Sequence, residues 1–129
     1  MTIFLTVQLK ASVPTEICEL FEVARSAFVY GLMFYPLVTI GAEQICRVSE
    51  AAVLLKCKFL NAPKRENSFA LKVKWLIEAK VIKNDDEYLW EYLRQFRNEG
   101  SHPKFQTIQT PEICLNTMET AAGLINDLF

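Results

Sequence analysis

Apolar residues recur at helical spacing through most of this chain and predict several amphipathic helices. Residues 1–13 differ, because they alternate weakly between apolar and polar positions and predict a short extended arm. Residues 14–129 predict an all-α, up-down helical bundle of four to five helices. The expected helices begin at Thr15, at Pro36, after a cap at Asn67 or Ser68, at Asn84 and at Pro111.

Local signals mark the predicted helix ends. Pro36 and Pro111 suit the first positions of the second and last helices, where the missing N–H has no intrahelical partner. Asn84 followed by Glu87 resembles a capping box that opens the fourth helix. Gly100 is the residue type that commonly follows a helix in the left-handed conformation. The fourth helix is therefore expected to stop just before the single histidine of the chain.

One segment, Phe28–Tyr35, is apolar nearly all round the predicted helix. Such a segment is covered on all sides by the core or by another subunit, and we expect a homodimer through this surface. Gly41, on the inner face of the second helix, indicates close approach by a neighbouring helix. Residues 26–42 carry no charge, and a run of 17 residues is the lower limit for a membrane span. Gly31 and Pro36 interrupt the run, which favours a buried helix–turn–helix over a membrane-associated hairpin.

Composition narrows the functional classes. A chain of 129 residues with 51% hydrophobic residues has the size of one domain with a substantial core. A net charge of −1 argues against a generally basic nucleic-acid-binding protein, so any such contact is a local patch or cleft. The four cysteines form no C-x-x-C pair, and one histidine cannot complete a zinc site. We therefore expect buried, reduced thiols, no metal and no cofactor, and, without a basic secretory leader, a cytoplasmic location.

The candidate chemistry lies at the end of the fourth helix, where Arg97, Asn98 and His102 form an R-N-x-x-x-H pattern. Arginine binds phosphate through a planar fork, and histidine moves protons near neutral pH. Together these groups are able to act on a phosphodiester without a metal. The structural alternative is that Arg97 neutralises the helix dipole while His102 caps free carbonyls. A Cys–His nucleophile pair stays open as a further alternative, although no local feature supports it.

The pattern from Arg97 to His102 resembles the HEPN superfamily, the higher eukaryotes and prokaryotes nucleotide-binding domain. That family has Arg, a polar residue and a following His at the end of a late helix. The order of elements is similar as well: two long helices, a shorter Lys-rich helix around residues 71–76, the motif helix and a closing helix. The resemblance spans most of residues 15–129.

The resemblance implies a metal-independent endoribonuclease or RNA-binding domain of a prokaryotic defence or stress system, such as a toxin–antitoxin pair. It implies a homodimer whose cleft holds two sets of catalytic residues. Arg97 would bind the scissile phosphate, His102 would be a general acid or base around attack by the RNA 2′-hydroxyl, and Asn98 would orient either group. Lys104 would add a substrate contact, where one toxin subgroup has a modified Tyr. The alternative function is a non-catalytic HEPN-like dimerisation or protein-interaction module.

Overall fold

Helices make up most of the computed structural model, which describes residues 6–34, 36–64, 68–100 and 111–129, with the backbone alone for residues 95–100 and 111. The α-helices are α1 (Thr15–Gly31), α2 (Pro36–Phe59), α3 (Phe69–Glu78), α4 (Glu87–Gly100) and α5 (Pro111–Leu128). No residue in these ranges belongs to a β-strand. The all-α prediction is confirmed.

Two glycines let α1 and α2 pack closely as an antiparallel hairpin. A Cβ atom built on Gly41 would lie 2.8 Å from Cδ1 of Phe28, and one built on Gly31 would lie 2.6 Å from Cγ2 of Val38. Real Cβ atoms essentially never approach so closely, so both positions require glycine at this spacing. The close approach predicted at Gly41 is confirmed, and Phe28 is its partner.

Contacts near the helix ends show in which directions α2, α4 and α5 run relative to one another. Phe129, just after α5, packs edge-on against Phe59 at the end of α2, with ring centroids 6.2 Å apart, so α2 and α5 run parallel. Trp90, in the first turn of α4, lines a hollow with Leu124 and Leu128 in the last turns of α5, so α4 runs opposite to both. We call the end where α1 and α4 finish and α2 and α5 begin the turn end, and the opposite end the tail end.

A single buried cluster draws side chains from all five α-helices. Its largest fully buried members are Trp90, Phe21, Phe28, Ile45, Leu76, Leu93, Met118 and Ile125. Residues 6–13 form neither helix nor strand, but Val7 and Val13 are buried against the same cluster. Burial of this apolar surface is the main force that holds the helices together.

Two side chains hold the N-terminal segment in place. Asn126 accepts a hydrogen bond from the Lys10 backbone N–H at 2.8 Å and donates one to the Gln8 carbonyl at 3.2 Å. Arg25, only 5% exposed, donates from Nη2 to the Val7 carbonyl oxygen. The segment is therefore fixed to both α1 and α5.

Three predictions about helix ends need correction or refinement. Ser68 is the N-cap of α3, since its side chain accepts a hydrogen bond from Leu71 N–H at 3.2 Å. Asn84 is not the N-cap of α4; it opens a short 3₁₀ helix, Asn84–Asp86, that leads directly into α4. Gly100 is the last residue of α4 and not the residue after it.

The expectation for Phe28–Tyr35 holds only in part. Phe28 and Gly31 are buried, and α1 ends at Gly31. The next described residues form a turn whose side chains are exposed in the single chain, with Met33 83% and Phe34 61% accessible. The segment is therefore not covered by the core of its own chain. Among the helices in the described ranges, none combines the length and hydropathy that crossing a bilayer requires.

Candidate functional site

The packing of α4 fixes the helix that carries the predicted motif. Trp90 and Leu93 are each 1% exposed, and they anchor the first half of α4 in the core. The Cys46 thiol of α2 lies 3.1 Å from the Leu93 carbonyl oxygen and donates a hydrogen bond to it. The backbone of α4 is thus held directly against the middle of α2.

Two of the four predicted site residues lie in the described part of the chain. Arg97 and Asn98 belong to the last turn of α4. Position 97 continues the line of Trp90 and Leu93 along the helix, because residues four and seven apart share a face. His102 and Lys104 lie outside the described residues, so the convergence of Arg97 with His102 stays a prediction.

Several helix ends meet at the turn end, where α4 carries Arg97 and Asn98. The N-terminal ends of α2 and α5 lie there as well. The first N–H groups of a helix have no intrahelical partner, and the helix dipole places a partial positive charge beside them. Glu112 already lies in the first turn of α5, and the C-terminal ends of α1 and α4 bring partial negative charge to the same end of the bundle, so the helix dipoles alone do not select an anion there.

The beginning of α4, in contrast, is acidic. Asp85, Glu87 and Glu91 line one open hollow together with Asn84 and Tyr88. A smaller hollow of about 140 Å³ at the tail end contains Asp86 and Asp127 beside Lys83. Like charges repel, so these carboxylates disfavour a phosphate backbone on the first half of α4. Any nucleic-acid contact of α4 is thereby restricted to its last turns.

One residue near the motif was missed by the sequence reasoning. Arg94 forms a forked ion pair with Glu91, with Nη2 to Oε1 at 2.8 Å and Nε to Oε2 at 3.2 Å. The hydrogen bonds and the charge of Glu91 raise the pKa of Arg94. Asn98 follows Arg94 by one helical turn on the same stripe. The i, i+3 spacing of Glu91 and Arg94 was the signal available in the sequence.

The cysteines give no support to thiol chemistry. Cys46, Cys57 and Cys114 are buried and unbridged, as predicted, whereas Cys18 is only half-buried. Burial raises the pKa of Cys114 to about 11, so its thiol stays protonated at neutral pH and is a poor nucleophile. Within the described part of the chain, no three His, Cys, Asp or Glu side chains cluster as metal ligands would.

Lysines on α3 and just after it form a second basic surface. Lys74 and Lys80 are exposed and Lys72 is half-buried. Lys74 lines a hollow of about 180 Å³ between α3 and α4 that also contains Glu87 and Glu91. The carboxylates beside Lys74 offset its charge, so this surface is less suited to phosphate than the turn end.

Comparisons with known proteins give no match: no protein-family model, no curated protein and no solved structure resembles this chain closely enough to count.

Proposed function

We propose that this protein is a cytoplasmic, metal-independent endoribonuclease or RNA-binding domain. It would belong to a prokaryotic defence or stress system, with a role like that of the toxin in a toxin–antitoxin pair. Its site would contain Arg97 and His102, with Asn98 and Lys104 as substrate contacts, in the cleft of a dimer. One observation supports this proposal above the others. Arg97 and Asn98 lie together in the last turn of α4, at the opposite end of that helix from the acidic residues at its start.

The charge distribution along α4 supports the same proposal. Its first turns and the preceding 3₁₀ helix are acidic, whereas its later turns carry two arginines, Arg94 and Arg97, and one carboxylate, Glu99. Because Glu91 already pairs with Arg94, Arg97 is the cation of α4 that would attract a phosphate group, which the start of the helix would repel. This polarity explains how a protein with a net charge of −1 could still bind a polyanion locally.

The proposed chemistry is transesterification within the RNA. A general base removes the proton of a 2′-hydroxyl, whose oxygen attacks the adjacent phosphorus while the bond to the 5′-oxygen breaks. A general acid protonates the departing 5′-oxygen, which leaves a cyclic phosphate. His102 would take one of these proton-transfer roles, and Arg97 would stabilise the charge that develops on the phosphate oxygens.

The test is RNA cleavage in the presence of EDTA by the wild type and by Arg97→Ala and His102→Ala. Loss of a proton-transfer group or a charge-stabilising group should lower the cleavage rate by about 100-fold or more. Arg47→Ala is the matched control, because Arg47 is an exposed arginine of α2. The same RNA with a 2′-deoxy substitution at the cleaved position should resist the wild type. Equal activity of all variants, or no cleavage by the wild type, would reject the catalytic proposal.

The second candidate is a non-catalytic dimerisation or protein-interaction module. The exposed apolar side chains at the turn end favour it, since such surfaces mark interaction sites. It predicts no cleavage, and an RNA affinity or partner affinity that does not change in His102→Ala. Salt-dependent RNA binding without cleavage, weakened by Arg97→Ala, would instead retain the RNA-binding form of the first proposal.

A further inference from the structure

The hollow of about 140 Å³ at the tail end, which we call the tail hollow, is walled by three parts of the chain. They are the linker between α3 and α4, the start of α4 with the 3₁₀ helix before it, and the last turns of α5. The tail hollow combines aliphatic side chains, such as those of Ile82 and Leu124, with polar ones. The polar side chains are those of Lys83, Asp86, Trp90 and Asp127.

The indole of Trp90 is the feature that indicates a ligand. Its side chain is 1% exposed, and its N–H group is a hydrogen-bond donor with no acceptor capacity. Among the described residues, none accepts a hydrogen bond from this N–H group. Buried polar groups are nearly always paired, because an unpaired one loses its bond to water without replacement. An unpaired donor on a side chain that lines a hollow therefore indicates an acceptor from outside the chain.

Trp90 also lines the hollow between α3 and α4, but the charged groups of the two hollows differ. In the hollow between α3 and α4, Glu91 is already held in its ion pair with Arg94. In the tail hollow, the side chains of Lys83, Asp86 and Asp127 form no hydrogen bond or ion pair with any described residue. All the charged groups of the tail hollow are therefore available to a ligand.

The walls of the tail hollow are ordered by hydrogen bonds within the chain. The Val81 and Ile82 N–H groups both donate to the Leu76 carbonyl, at 2.9 Å and 3.2 Å, and fix the linker to the end of α3. The Asp86 N–H group donates to the Lys83 carbonyl at 2.9 Å. Binding to such a preorganised site costs little conformational entropy of the protein.

The polar groups of the tail hollow specify the chemistry of the ligand. Asp86 and Asp127 attract a cation and accept its hydrogen bonds, whereas Lys83 and the Trp90 N–H group donate to a carboxylate. A cavity of about 150 Å³ holds one benzene molecule, so the tail hollow has room for about six non-hydrogen atoms. We propose that the tail hollow binds a small zwitterion, namely an amino acid with a short aliphatic side chain such as alanine.

Each part of this ligand has a counterpart in the wall. The ligand ammonium would face the two aspartates, its carboxylate would face Lys83 and Trp90, and its methyl group would contact the aliphatic side chains. The zwitterion would thereby supply the acceptor that the buried indole lacks. The inference is independent of the RNA proposal, because binding of an amino acid is measured without RNA.

The test follows the indole N–H signals of the full chain by proton–nitrogen NMR during titration with L-alanine. The chain has two tryptophans, and Trp75→Phe identifies which signal belongs to Trp90. We expect the Trp90 signal to shift saturably, with a Kd of about 1 mM or tighter, while the Trp75 signal stays in place. Ethylamine lacks the carboxylate of alanine and propionate lacks its amine, so each should bind at least about 10-fold more weakly.

Asp127→Asn removes one charge at the rim of the tail hollow and should weaken the binding of L-alanine by at least about 10-fold. The matched control is Asp85→Asn, because Asp85 is an exposed aspartate that lines the separate open hollow at the start of α4. That variant should bind like the wild type, and thermal unfolding checks that both variants keep the fold. No saturable shift up to about 50 mM L-alanine would overturn the proposal. Equal binding of ethylamine or propionate, or an equal loss in Asp85→Asn, would overturn it as well.

Discussion

Exposed aromatic residues have different surroundings at the two ends of the bundle. At the tail end, Phe59 directly follows Lys58 and packs edge-on against Phe129, while the Lys56 ammonium lies 5.3 Å from the centre of the Phe129 ring. At the turn end, Phe34 has a similar exposure, but no charged residue lies between Arg25 and Glu43. The difference teaches that exposure alone does not mark an interface. The uncharged run of residues 26–42 is what separates the exposed apolar side chains of the turn end from those of the tail end, although Arg97 of α4 lies at the same end of the bundle.

The largest difference in the free energy of unfolding is expected between two variants that each lose one large apolar side chain, one variant at each end of the bundle. Trp90 is 1% exposed and packs against Phe69 with ring centroids 6.1 Å apart. Trp90→Ala should lower the free energy of unfolding by about 3–5 kcal/mol, because it leaves a cavity. Met33→Ala should change it by less than about 0.5 kcal/mol, since Met33 is exposed. Urea denaturation of a monomeric sample measures both; similar losses in the two variants would contradict the comparison.

A smaller effect on the free energy of unfolding is expected from filling the close contact between α1 and α2. Gly41→Ala would place a methyl group 2.8 Å from the buried ring of Phe28, and overpacking of this kind costs about 1–3 kcal/mol. Gly123→Ala is the control, because a Cβ at Gly123 meets no atom within 4 Å. That variant should be neutral or stabilised by up to about 1 kcal/mol, through the better helix propensity of alanine. If thermal unfolding shows Gly41→Ala to be as stable as the wild type, α1 and α2 pack less closely than described.

The smallest effect is the contribution of Cys114 to the pH dependence of stability, which appears only at alkaline pH. In the folded protein burial raises the pKa of Cys114 from 9.0 to about 11. Below pH 9 both states keep the proton; as the pH rises towards 11 the unfolded state loses it first, so stability falls. The stability advantage of the wild type over Cys114→Ala should shrink by up to about 2 kcal/mol between pH 9 and 11. Denaturant melts of both proteins at each pH cancel the titration of lysines and tyrosines. A constant difference would show that Cys114 is not shielded from water.

Much of the fold was predictable from local patterns. Helical spacing located the helices, and the serine at position 68 and the glycine at position 41 had the roles expected of them. The end of α1 was not predictable, because an apolar run looks the same whether the core covers it or leaves it in a turn. The cap expected at Asn84 failed because three residues there form a 3₁₀ helix instead.

The candidate site was predictable only in part. The amphipathic pattern placed Arg97 and Asn98 in the last turn of a helix, as found. The other helix ends beside that turn are brought there by tertiary contacts, such as those of Trp90 and Phe129. No local pattern encodes these contacts. The role of His102 and the position of Lys104 stay predictions.

The two hydrogen bonds of Asn126 bear on how the chain is assembled during synthesis. Lys10 and Asn126 are separated by 116 positions, so residues 6–13 leave the ribosome long before their binding partner exists. The contact of Arg25 with Val7 can form early, but the bonds of Asn126 to Gln8 and Lys10 can form only after α5 has been translated. Removing the final turn of that helix should therefore expose the opposite terminus to proteases, although the two are remote in sequence.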